Sequence, residues 1–245
     1  MLKLSALLVA TSLILSISTF SQKKISLSVF TGSGISFFRG SGAVSKSIYH
    51  LNNTSGSLPP HPFIPDTIDN PYGKKLFANF LAGVQADILL HSKWVFLISS
   101  QYEQVGGKLN PDTIVSTTGR RKVDGEYKRL YGFLSVNPQI VRIIFQKQVM
   151  IELHAGLDYA FALSIEDEFD YTDQSGKRSI IGYSGYPVET NDLRFTIGSA
   201  FTRKKWTLDL NYKHGLSNYN KNGNDKVFSR ILHIRLMYAF LKSKK

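Results

Sequence analysis

From Leu76 to His91 the even positions read Leu76, Ala78, Phe80, Ala82, Val84, Ala86, Ile88 and Leu90, while the odd ones include Asn79, Gly83, Gln85, Asp87 and His91. Side chains alternate between two faces only in an extended chain, so this period of two dictates a β-strand. Globular strands average about five or six residues. A strand held for sixteen residues is built to cross something thick.

The pattern recurs. Trp94, Phe96, Ile98 and Tyr102 oppose Ser99, Gln101 and Glu103. Val149, Ile151, Leu153, Ala155, Leu157, Tyr159, Phe161 and Leu163 oppose Glu152, His154, Gly156 and Asp158. Leu193, Phe195, Ile197 and Phe201 oppose Asp192, Arg194, Thr196 and Gly198; Trp206, Leu208, Leu210 and Tyr212 oppose Thr207, Asp209, Asn211 and Lys213. Phe228, Leu232, Ile234, Leu236, Tyr238 and Phe240 oppose Ser229, His233 and Arg235. With Ile25 to Phe37 and Tyr127 to Phe145 the segments number eight. Membrane-crossing strands need about 9 to 11 residues at a tilt near 45°.

The connections alternate in length. Short joins run through His91, Ser92 and Lys93, through Gln146, Lys147 and Gln148, and through Arg203, Lys204 and Lys205. Gly40 to Gly73, Gly107 to Glu126 and Ser164 to Glu189 are long, and Ser217 to Asp225 is intermediate. Short turns on one rim and long loops on the other predict an all-β, eight-stranded, antiparallel up-and-down transmembrane β-barrel of the outer-membrane type, with both termini periplasmic. A secreted lipocalin-like barrel has the same strand number, but its apolar face points inward around a ligand. Charges on the polar face, together with aromatics near segment ends (Trp94, Tyr102, Tyr159, Trp206, Tyr212, Tyr238 and Phe240), favour the membrane form.

Composition narrows the alternatives. With 42% hydrophobic and 12% aromatic residues the chain can bury enough surface to fold. A mean hydropathy of −0.11 and a single long apolar run argue against a bundle of membrane helices. Cysteine is absent, which removes disulfides, thiolate metal sites and cysteine nucleophiles together. The one apolar run, Leu4 to Ile17, follows Lys3 and precedes small residues at Thr19 and Ser21. It reads as a secretory signal peptide over residues 1–21, leaving residues 22–245 as the barrel domain.

Several local motifs carry a resemblance: Phe20-Ser21-Gln22, Tyr102-Glu103-Gln104-Val105-Gly106-Gly107-Lys108, Gly156-Leu157-Asp158-Tyr159, Tyr212-Lys213-His214-Gly215-Leu216-Ser217-Asn218 and Leu236-Met237-Tyr238-Ala239-Phe240. In this order and spacing the sequence resembles the PorT-like outer-membrane β-barrel family of the Bacteroidota, over nearly all of residues 22–245. The fourth segment departs from the family's Leu-x-x-Pro-Leu pattern, because Tyr131-Gly132-Phe133-Leu134 lacks the proline and Pro138 comes later. A proline inside a strand implies a bulge there. The resemblance implies a terminal aromatic read by the barrel-insertion machinery, here followed by Leu241 to Lys245, and an association with protein secretion.

An eight-stranded barrel is just wide enough for side chains to fill it. The inward positions would set Asp87, Glu103, Glu152, Asp158, Asp192 and Asp209 against Arg129, Arg194, Lys213 and Arg235, with His154 and His233 beside them. Buried charges persist when paired, so this is read as a structural ion-pair plug rather than a pore or catalytic pair. His154, with Glu152 and Asp158 on its face, is the one inward histidine with two near acids, and no serine stands beside it there. No catalytic, cofactor or metal residue is assigned, although a barrel-embedded lipid-modifying enzyme remains the alternative. His50 and His61 fall in a first loop read as disordered, and His214 on the lipid-facing parity. Glu166, Asp167, Glu168, Asp170 and Asp173 before Gly176 miss the spacing of a helix-loop-helix calcium site and read as a solvated acidic loop.

The net charge of +12 sorts to one side. Lys23, Lys24, Lys93, Lys147, Arg203, Lys204, Lys205, Lys242, Lys244 and Lys245 stand at the termini and short turns. Such a rim suits anionic phospholipid headgroups, while an exported chain with its bases confined there does not suit nucleic acid. The expected partners are thus lipopolysaccharide and phospholipid, the insertion machinery, and a protein at the long loops. The expected role is non-enzymatic, structural, accessory or surface-binding.

Overall fold

The computed structural model describes residues 25–51, 67–116, 119–185, 191–220 and 225–242. The signal-peptide reading, Lys23, Lys24, His61, Lys244 and Lys245 lie outside the described residues.

The described residues form twelve strands: β1 (Ile25–Arg39), β2 (Lys46–His50), β3 (Thr67–Ile68), β4 (Phe77–His91), β5 (Trp94–Ser116), β6 (Gly119–Lys122), β7 (Asp124–Gln146), β8 (Met150–Thr172), β9 (Arg178–Gly185), β10 (Asn191–Arg203), β11 (Trp206–Gly215) and β12 (Phe228–Lys242). Eight of them, β1, β4, β5, β7, β8, β10, β11 and β12, pair antiparallel with their neighbours in chain order, and β12 closes on β1 from Ser26↔Lys242 to Arg39↔Phe228. Closure leaves no edge among the spanning strands, the one arrangement of sheet that satisfies backbone polar groups in hydrocarbon.

Polarity is the reverse of a soluble barrel. Val84, Ile140, Leu153, Ile197 and Leu236 are exposed on the outside, whereas Ser99, Glu103, Asn137, Asp158, Arg194, Lys213 and Arg235 are buried within. The lipocalin-like alternative is therefore excluded. Outward aromatics form two girdles. Trp94, Trp206 and Tyr238 ring the short-turn end, where Trp206 and Tyr238 pack at 5.0 Å; Phe80 with Tyr102, and Tyr159 with Phe161, lie farther along.

The structure corrects the reading of the connections. β5, β7 and β8 each run 23 residues, roughly 75 Å of strand. At a tilt near 40° that is about 55 Å of height, against an apolar band of about 25 Å. Half of each strand stands clear of the membrane. There, β2 adds in parallel to β5, β6 pairs with β5 and β9 pairs with β8. The described parts of the long connections thus form a β-head. It has a core of its own, in which Tyr49, Leu109, Ile114, Tyr127 and Phe169 are buried together. His50, expected in a disordered loop, is in β2 and meets Asp69 at 2.7 Å.

Pro138 makes no bulge. Register with β5 runs through Ile98↔Pro138 without a slip, and with β8 it passes from Val136↔Tyr159 to Gln139↔Gly156 unchanged. The missing N–H merely skips one stretch of the ladder, and inward parity continues through Ser135, Asn137, Gln139 and Val141. The β7–β8 register shifts lie at Gly132/Phe133 and Ile143/Phe145. The first leaves Leu163 as the extra residue on β8, so that inward positions change from even (Asp158, Ala160) to odd (Ile165, Phe169).

Both tryptophans of the chain face outward, 41% and 53% exposed. In bilayers containing brominated phospholipid, Trp94 and Trp206 fluorescence should be strongly quenched. Folded protein should also migrate faster on a denaturing gel before boiling than after. Tryptophans shielded from brominated chains would contradict the outward apolar face.

Candidate functional site

The inward network forms where four strands bring alternate residues to one level. On β10, Asp192 and Arg194 are two apart and so share a face, and the Arg194 Nε donates to Asp192 Oδ2 at 2.5 Å. The Arg194 Nη1 donates to Glu103 of β5 and, at 3.2 Å, to Asp158 Oδ2 of β8. Lys213 of β11 donates to Glu103 Oε2 at 2.7 Å and to Asp158 Oδ2 at 2.9 Å. Three carboxylates thus share two cations. Two of the same oxygens also take neutral donors: Gln101 Nε2 donates to Glu103 Oε2, and the Tyr219 and Ser229 hydroxyls donate to Asp192 Oδ2. His233 Nδ1 stands 4.0 Å from Glu103 Oε2.

An aromatic layer covers this network on the head side. Phe38, Tyr72, Tyr131 and Tyr219 pack edge to face, with centroids 5.2 to 6.3 Å apart, and the Arg194 guanidinium lies over Phe133 at 4.7 Å. Tyr219, in the connection between β11 and β12, is 3% exposed and also accepts the Tyr72 hydroxyl on its carbonyl. Ions and rings together fill the barrel at this level, which suits a plug rather than a conduit.

A second group lies nearer the short turns. The Arg235 Nε donates to Asp209 Oδ1 at 2.9 Å, and its guanidinium lies 5.0 Å over Phe30. His154 Nε2 is 2.9 Å from Asp209 Oδ2, and His154 Nδ1 is 2.5 Å from Gln139 Oε1. Both ring nitrogens of His154 lie within hydrogen-bond distance of neighbouring side chains. Each inward histidine lies over a glycine of the adjoining strand: a Cβ on Gly198 would come within 2.5 Å of His154, and one on Gly34 within 2.5 Å of His233.

Of the residues singled out from sequence, Glu103, Asp158 and Arg194 meet in the first group, and His154, Asp209 and Arg235 in the second. Arg129 faces inward but stands apart, paired through Nε and Nη2 with Asp167 at 2.7 Å. Asp87 accepts from Gln85 at 2.8 Å, and it and Glu152 lie at the mouth of a pit that opens at the short-turn end. The pit holds about 170 Å³. Lys93, Lys147, Arg203, Lys204 and Lys205 are all exposed around it. Gln139, Gln101, Tyr219 and Ser229 are contributors that sequence reasoning left unassigned; inward parity was the only available sign for Gln139, Gln101 and Ser229, and Tyr219 had none.

The acidic run of the third connection lies in a β8–β9 hairpin, not a solvated loop. Asp167 pairs with Arg129, Glu168 with Lys128 and Asp170 with Arg178. Bonding from Arg178 holds the Asp170 carboxyl below the usual aspartate range, and the Ser175 hydroxyl and the Lys177 amide do the same for Asp173. Asp173 thereby organises the turn in which Gly176 adopts φ 83°.

The ring closure, outward apolar belt and charged interior define the class: a transmembrane β-barrel of the outer-membrane type carrying an ordered head. No family model matches the sequence, and no curated protein matches it. Among solved structures the chain is similar to Ail, the attachment invasion locus protein of Yersinia pestis, solved with the heparin analogue sucrose octasulfate. Identity is 14%, covering 88% of this chain and 99% of that one, with a TM-score of 0.32. It is also similar to Neisserial surface protein A, at 13% identity over 87% of this chain and 97% of that one, with a TM-score of 0.39. The class rests on the chain's own geometry.

Arg194→Met leaves three buried carboxylates short of a partner and should cost about 3–5 kcal/mol in urea unfolding from bilayers. Lys46→Ala, which breaks an exposed 3.6 Å pair with Asp112, should cost about 0–1 kcal/mol. Equal effects would refute the plug as a source of stability. Because the folded-state values of Asp170 and Asp173 lie below the ordinary 3.8, their bonds stabilise the hairpin at neutral pH and are lost as pH falls below about 4. Amide protection over residues 173–178 should drop there, and Asp173→Asn should flatten the dependence.

Proposed function

We propose that the chain is an outer-membrane surface protein, non-enzymatic, that acts through its β-head as a binding or accessory component, with the termini and short turns in the periplasm. The observation that carries this is the head itself. Three strands are extended far beyond what spanning requires, and they are consolidated by a separate core around Tyr127 and Phe169. A barrel needing only an anchor has no use for them. The head presents β6 with Arg120, Arg121 and Lys122 all exposed in succession. It also presents β9, paired with β8 alone among the described residues, with Ile180 and Tyr183 exposed. A strand edge unpaired among the described residues, with apolar side chains, and a basic strand elsewhere on the head suit a protein or polyanionic surface partner. Lipopolysaccharide and phospholipid surround the belt, the insertion machinery acts on the closing strand, and participation in secretion is the role that the resemblance to PorT-like barrels adds.

The lipid-modifying alternative draws little support from His154, whose ring is held on both sides. The test is photo-cross-linking on intact cells. Replacing Arg120, Arg121 and Lys122 with Ala, or Ile180 and Tyr183 with Lys, should abolish a cross-linked partner seen with the parent while leaving heat-modifiable migration unchanged. Partner capture indifferent to both variants would refute the head as the working surface. A lipid A or phospholipid change in a deletion strain that His154→Ala reproduces would establish the enzymatic reading instead.

A further inference from the structure

The barrel is filled unevenly. Toward the head, the ion network and aromatic layer bury every inward side chain from Glu103 to Phe38. Toward the short turns the lumen opens into the 170 Å³ pit. One wall of this pit is apolar, although it faces the inside of the barrel: Val95, Leu97, Val141 and Ile143 form a cluster with Leu89 and Met150. Inward positions here could have carried more of the polar residues found one turn of the lumen away. A dry cavity of about 150 Å³ lined by aliphatic side chains accepts benzene, so this one has room for a six- to eight-carbon hydrocarbon.

The mouth supplies the other half of a binding site. It lies at the level of the Trp94, Trp206 and Tyr238 girdle, where headgroups sit. Lys204 lines it, and Lys93, Lys147, Arg203 and Lys205 are exposed around it. Against these five bases the mouth sets Asp87 and Glu152, leaving the opening net positive.

We infer that the short-turn end of the barrel is a receptor site for a single-chain anionic amphiphile, its alkyl tail in the pit against Val95, Leu97, Val141 and Ile143 and its headgroup on the lysine-rich rim. The pit is blind, since His154 and Asp209 line its inner end and the buried Glu103–Arg194–Lys213 network fills the barrel beyond them, so the ligand enters and leaves on one side. Tail length is limited by that floor, and headgroup charge is selected by the rim.

The chain carries its own reporters. Of its three methionines, Met1 precedes the barrel, and Met150 and Met237 both line the pit. With methyl-labelled methionine in phosphatidylcholine nanodiscs, octanoate should shift both methyl signals saturably. Hexanoate should bind about sixteenfold more weakly, at about fourfold per methylene. Heptyltrimethylammonium, with the same seven-carbon tail and opposite charge, should shift neither at matched concentration, and inorganic phosphate should shift neither. Lys204→Glu with Lys205→Glu should weaken octanoate binding at least fivefold. Leu97→Trp, which fills the pit, should abolish it; an unchanged octanoate response in a folded Leu97→Trp variant would place the ligand outside the barrel and overturn the inference. So would silence of both methyls toward octanoate, or an equal response to the cationic amphiphile.

Discussion

No water reaches the acyl region of a bilayer, so each backbone N–H and C=O of a strand that crosses it must find its partner in a neighbouring strand. Every other feature of this protein follows from meeting that demand by ring closure. Once β12 returns to β1, each spanning residue has only two directions to point, out to hydrocarbon or into a narrow lumen. The outward set must be apolar. The inward set is too crowded for water in bulk, and charges placed there persist because they are packed against one another, as Arg194 and Lys213 are against Glu103, Asp158 and Asp192.

That same demand explains what the amino-acid sequence reveals. Within the bilayer the two faces differ so sharply that Val84 and Gln85, or Leu210 and Asn211, announce their directions individually, and the eight spanning segments with their inward residues are legible from alternation alone. Beyond the bilayer the contrast disappears. Strand residues there bury one face on a small core and expose the other to water, and the extra residue at Leu163 reverses the parity of β8. Glu166, Asp167 and Glu168 in succession then look like a solvated loop, and their partners Lys128 and Arg129 emerge only once the β7–β8 register is known. Tyr219 lies in a run of Ser and Asn with no periodic signal, yet it seals the aromatic layer. Pro138 shows the opposite error: an outward proline in a long ladder costs one missing bond and leaves direction unchanged.

The two ends of the barrel answer to different neighbours. On the head side, aromatic stacking and hydrogen-bonded carboxylates make a rigid floor on which the head core rests, so Tyr72 and Arg129 tie head to barrel through a guanidinium 5.8 Å over the ring. On the short-turn side, no comparable layer exists among the described residues, and aliphatic side chains face an open mouth ringed by lysine and arginine.

The tall strands are also contiguous. β5, β7 and β8 stand side by side, while β10, β11, β12 and β1 stop near the bilayer surface. Viewed along the membrane normal from the head side, the described residues therefore form a half-walled tower rather than a crown, with a front and a back within the plane of the membrane. A neighbouring membrane protein could approach flush along the low flank while the high wall stays clear, so rotation about the membrane normal, which is neutral for a symmetric barrel, decides here which surface a neighbour meets.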